Sequence, residues 1–150
     1  MKKISNKLLI ILLLFISFIC NAKEEVLFSI NNNPTTTIDL NQRINYLSLL
    51  SNIDINKINK KKYIEDLVSV KLFNEFAEIK NIKTKDKLLN NYYEKIEINN
   101  KERLQILYNN KILTKEIIIE NILYDLQRKN IIENIINDRI DEINLTNNKL

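Results

Sequence analysis

Acidic side chains are the first groups to weigh for chemistry, because the sequence has no histidine and a single cysteine, Cys20. Three adjacent carboxylate pairs stand out: Glu24/Glu25, Glu65/Asp66 and Asp141/Glu142. The last two fall in segments with helical periodicity, where neighbouring side chains diverge by about 100°. They cannot converge on one substrate as general acid and base, and they read as solvated helix surface. Glu24/Glu25 lies near the start of the expected mature chain and reads the same way. Glu116 and Glu120 are four apart on one helix, but no histidine completes a metal-binding motif. The chain also has no glycine. Zinc sites built on His or Cys, His-dependent triads and glycine-rich phosphate loops are therefore excluded. No cofactor is expected, and a metal site made of carboxylates alone stays open with no motif to support it.

The aromatic side chains are the remaining candidates. Phe76 sits on the apolar stripe of a predicted helix and is assigned to the core. Phe73, one position off Leu72, together with Tyr92, Tyr93 and Tyr108, could line an apolar groove for extended polypeptide. Tyr92 and Tyr93 are adjacent, so only one of them can face a given side. Exposed apolar area without sequence-specific contacts suits promiscuous binding.

These residues must be placed by helices. Val26–Ile30 reads as one short strand, ended by a turn at Asn31–Pro34. Thr36 and Asp39 resemble a capping box, and a helix over 37–51 follows, with Leu40, Ile44, Leu47 and Leu50 on one stripe. Residues 52–60 read as a polar connector carrying Ile53, Ile55 and Ile58. A second helix, 61–80, has Ile64, Leu67, Val68, Leu72, Phe76 and Ile79 at 3–4 spacing. It should stop at Asn81 in a left-handed conformation. Thr84 should cap a helix over 85–95, and Asn99 or Asn100 one over 101–108. Thr114 should open a long last helix reaching about residue 143. The apolar register of that helix slips near Lys129–Asn130, which predicts a bend or a change of packing partner. The fold class is mainly α: one short N-terminal strand followed by about five helices.

The N-terminus sets the location. Lys2, Lys3 and Lys7 precede an apolar run from Leu8 to Cys20, and Cys20-Asn21-Ala22 puts small residues at the −3 and −1 positions of a cut after Ala22. This is the order of a secretory signal peptide. The run is shorter than the roughly 20 residues a membrane-spanning helix needs. An uncleaved N-terminal anchor is the alternative. A lipoprotein is disfavoured, because Ile19 stands where a lipid-modification box wants a small residue. The expected organisation is a signal peptide at 1–22, a helical domain at 23–143 and a frayed tail at 144–150.

Removal of residues 1–22 takes three of the 23 basic residues and leaves 20 against 19 acidic ones, a net charge of +1. Nucleic-acid binding wants a basic domain and is not expected. Lysines 57, 60, 61 and 62, and 80, 83, 85 and 87, read as solvated helix ends.

Three blocks carry a family resemblance. Val26–Asn31 followed by Thr37-Ile38-Asp39-Leu40-x-x-Arg43-Ile44 resembles the opening of the SurA-type periplasmic chaperones. Leu67–Ile82 is similar to that family's second helix, with Asn81 where the family has glycine. Leu107–Thr114 is similar to a helix-to-helix turn, with Asn110 near the family's glycine. The resemblance spans about residues 26–143. It implies the N-terminal, substrate-binding domain of such a chaperone: an ATP-independent periplasmic module holding unfolded outer-membrane proteins. The parvulin isomerase domains of the family have no counterpart in this sequence, so isomerase activity is not expected. The closing C-terminal helix of the family domain is also missing. That leaves an apolar face for clients, for a second copy in a homodimer, or for a separate envelope partner of which this chain would be a helical subunit.

Overall fold

In a computed structural model, residues 24–51 and 59–147 are described, with side chains as far as Ile140. The segment expected to be a signal peptide cut after Ala22, and Ile53, Ile55 and Ile58 of the connector, lie outside the described residues. Among those described, a two-stranded hairpin precedes five helices: β1 (Val26–Ile30), β2 (Asn33–Thr36), α1 (Thr37–Ser51), α2 (Lys60–Ile79), α3 (Asp86–Asn99), α4 (Lys101–Asn109) and α5 (Lys115–Asn147). The mainly α class holds.

The single predicted strand is corrected to an antiparallel pair. Asn31 and Asn32 both take positive φ, 46° and 67°, as a two-residue type I′ turn requires. Ile30 then pairs with Asn33 and Ser29 with Pro34. Pro34 is tolerated because a two-stranded ribbon has only edges. Thr36 closes β2 and opens α1. Its amide and hydroxyl both donate to Asp39 Oδ2, at 2.7 and 3.0 Å, and the Asp39 amide lies 3.5 Å from Thr36 Oγ1. The capping box thus forms with Asp in the usual Glu position.

Helix ends explain how a chain without glycine turns. At the end of α2, Asn81 takes φ 54°, while Ile82 N donates to Ala77 O and Asn81 N to Glu78 O. This is a Schellman motif, with Asn81 in the expected place. A second one ends α4, with Ile112 N bonded to Leu107 O and Lys111 N to Tyr108 O. Here the left-handed residue is Lys111, φ 54°, and not Asn110. Thr84 does not cap α3: the N-cap residue is Lys85, and the Thr84 hydroxyl is buried without a partner. Helix α3 is longer than its predicted 85–95 span and ends at Asn99.

The core has two parts that share α5. One gathers Tyr46, Leu49, Leu89, Tyr93, Leu104, Ile118 and Ile122 among α1, α3, α4 and α5. The other gathers Leu40, Ile44, Leu67, Val70 and Tyr124 between α1, α2 and α5, with Leu27 and Phe28 of the hairpin packed on it. Asn31 Nδ2 donates to Glu75 Oε1 at 2.7 Å, pinning the turn to α2. Arg103 of α4 donates to the Ser48 carbonyl and hydroxyl of α1.

Between the two parts lies a closed ring of charge. Arg43, 1% exposed, donates from Nε to Asp66 Oδ2 at 2.7 Å, from one terminal nitrogen to Asp125 Oδ1 at 2.6 Å and from the other to Asn121 Oδ1 at 3.2 Å. Arg128 closes the ring by donating to Asp66 Oδ1 at 2.7 Å and Asp125 Oδ1 at 3.1 Å. Asp66 is therefore not solvated surface, whereas its neighbour Glu65 is exposed and reaches only Lys61, at 3.9 Å. Burial works against the Asp66 carboxylate, but hydrogen bonds and charge from Arg43 and then Arg128 outweigh it and hold its pKa below the ordinary value.

Two predictions follow from the ring. Arg43→Met leaves two partly buried carboxylates to share Arg128 alone and should cost about 3 kcal/mol, measured as a urea-midpoint shift at neutral pH. Because the folded-state pKa of Asp66 lies below its unfolded value, its contribution is complete above about pH 4 and is lost as pH falls through the depressed value. The stability gap between the native chain and Asp66→Asn should therefore narrow as urea titrations are moved from about pH 6 to pH 3.

Candidate functional site

Helix α5 is uninterrupted through Lys129–Asn130 and reaches Asn147, past the predicted end near 143. What changes at the register slip is burial, and the helix is not broken there. Ile131 is buried, while every residue from Ile132 to Ile140 is exposed. The doublets Ile131-Ile132 and Ile135-Ile136 spread apolar surface over too wide an arc for one neighbour to cover.

Helix α2 shows the complementary departure from its predicted stripe. Its buried residues are Leu67, Val70 and Ala77; of these only Leu67 belongs to the predicted stripe. Leu72, Phe76 and Ile79 are 51%, 43% and 67% exposed. Phe76 is therefore corrected from core to surface. The departure comes from Tyr124 and the hairpin, which draw Lys71 toward α5. The Lys71 ammonium donates to Tyr124 Oη at 2.9 Å and lies 4.7 Å from the centre of its ring. Tyr124 in turn donates to Glu120, and burial together with that carboxylate raises its pKa.

The outward faces of α2 and α5 meet in a shallow groove of about 270 Å³ lined by Leu72, Phe73, Phe76, Ile131 and Ile135. All five residues are apolar. Ile132, Ile136 and Ile140 continue the apolar surface along α5, each 39% exposed or more. The Lys80 ammonium lies 5.9 Å from the centre of the Phe76 ring at one end.

The four aromatics proposed from sequence separate. Half-buried Phe73 lines this groove. Tyr92, 38% exposed, lines a different and larger pocket between α1, α3 and α5. Tyr93 is corrected to the core, 5% exposed, with its hydroxyl 3.0 Å from that of half-buried Tyr108. Burial and this hydrogen bond raise the Tyr108 pKa. The pair joins α3 to α4 and lines neither the α2–α5 groove nor the pocket of Tyr92. Leu72, Ile131 and Ile135 were missed, although the isoleucine doublets of α5 signal an apolar face too broad for a single partner.

The side chains of Asp141 and Glu142 lie outside the described residues. Glu116 is exposed; its pKa is held low by a hydrogen bond from Thr114 and by its own backbone amide. Among the described residues, no group of three or more Cys, Asp or Glu side chains is placed to hold a metal ion. No described helix is long and apolar enough to cross a membrane. Searches of family models, curated proteins and solved structures return no match to this chain.

The exposed groove residue Phe76 should contribute little to folding. Phe76→Ser should change stability by less than about 1 kcal/mol, whereas Leu67→Ala, in the core beneath it, should cost about 2–4 kcal/mol. Chemical denaturation of the two variants side by side checks this.

Proposed function

We propose that the chain is a non-catalytic, chaperone-like module of the SurA N-terminal type. In this reading it acts in the periplasm and holds unfolded outer-membrane polypeptide without ATP. The observation that carries it is the apolar groove between α2 and α5, continued along the outer half of α5. A monomeric surface usually breaks its apolar area into small patches, and a large contiguous one marks a place where something docks. Both rims are helices. The five lining side chains offer no hydrogen-bonding group that would demand one sequence, which suits a client list defined by apolarity. Phe73 and Phe76 supply aromatic faces for client side chains.

The test is light scattering of a urea-unfolded outer-membrane protein diluted into buffer with the purified protein. Near-stoichiometric suppression of aggregation is expected, reduced at least fivefold in Phe76→Asp/Ile135→Asp. A folded protein that gives no suppression, but elutes from the cell envelope at fixed stoichiometry with one other chain, would replace this reading with that of a partner subunit.

A further inference from the structure

The pocket that holds Tyr92 is separate from the α2–α5 groove and has a different chemistry. Its volume, about 570 Å³, lies in the range of small-molecule sites. Its floor is Ile96, Ile122 and Leu126, all at most 7% exposed. Its one carboxylate is Asp125, and that group is committed to Arg43 and Arg128 in the buried ring, at 2.6 and 3.1 Å. The lining also includes Lys95 and Lys129, both exposed.

Neither ammonium is held tightly where it stands. Lys95 Nζ lies over the Tyr92 ring at 5.7 Å. Lys129 reaches Glu133 at 3.7 Å, with both side chains more than half exposed, an ion pair that contributes little in water and can be exchanged for a better one. The pocket thus offers an apolar floor and a cationic mouth, with the one carboxylate of its lining already compensated.

We infer that this pocket binds an amphipathic monocarboxylate, with the apolar body on Ile96, Ile122 and Leu126 and the carboxylate between Lys95 and Lys129. Two sources share that chemistry: a free medium-chain acid, and the C-terminal residue of a polypeptide. Tyr92 closes one side of the apolar body. The mouth provides charge-assisted contacts to the carboxylate, and a neutral analogue of the same shape forgoes them.

The test is calorimetric titration of the purified protein with octanoate and with 1-octanol, and with Ala-Ala-Phe carrying a free or an amidated C-terminus. At least one carboxylate should bind saturably and about tenfold more tightly than its neutral counterpart, a ratio that one to two charge-assisted hydrogen bonds supply. Which acid binds identifies the source. Lys95→Gln/Lys129→Gln changes only surface residues and should abolish the difference while circular dichroism stays unchanged. Phe76→Asp should leave it intact, so failure here is distinguishable from failure of the groove. Equal affinity for acid and neutral analogue, an undiminished difference in the double lysine variant, or no binding of either acid would overturn the inference.

Discussion

The guanidinium of Arg43 is the tie on which the arrangement depends. It is presented by α1, bonded to Asp66 of α2, and bonded to Asn121 and Asp125 of α5. A planar fork with donors in fixed directions can serve three acceptors only if the three helices hold one mutual register. The ring formed with Arg128 balances two cations against two carboxylates, so no net charge is left in the interior. Replacing such a buried group with well-packed apolar residues is often neutral or favourable. The ring is therefore better understood as fixing which way the helices sit than as a large source of stability. The groove residues Ile131 and Ile135 lie within two turns of Arg128. The relative height of Ile135 and Phe76 is set by this ring.

Local signals in the sequence specified the helices well. The Thr36–Asp39 box and the stop at Asn81 depend on residues within a few positions of each other, and both form as read. The hairpin was missed because Asn33-Pro34-Thr35-Thr36 lacks the apolar alternation of a strand. The signal lay in the preceding Asn31-Asn32, two residues that tolerate positive φ. Lys111 took the left-handed position assigned to Asn110 because the α4 helix ends one residue later than side-chain preference alone suggests.

The charged ring and the groove were hidden for a different reason. Arg43 lies 23 residues from Asp66 and 82 from Asp125, and Asp66 has exposed Glu65 beside it. No neighbour in sequence marks one carboxylate as tied and the next as free. The stripe on α2 was misplaced because periodicity gives the width of an apolar arc and not which edge of it is covered. Once Lys71 turns toward Tyr124, the line through Leu67, Val70 and Ala77 is inside, and Phe76 is outside. Tyr93 and Phe76 exchange their expected roles through the same ambiguity.

Helix α5 has two halves with different thermodynamic standing. The inner half is held by side chains on several sides. From Ile132 to Ile140 every residue of the outer half is exposed, and isolated helices of about 15 residues are marginal in water. Its winding is therefore the least protected part of the helix, and any body that seats on its isoleucines also contributes to keeping it wound. Occupancy and helicity become linked quantities: an arm that loosens when empty and tightens when filled reports its own load, and amide exchange along α5 would step sharply at Ile131 in one state and run level in the other.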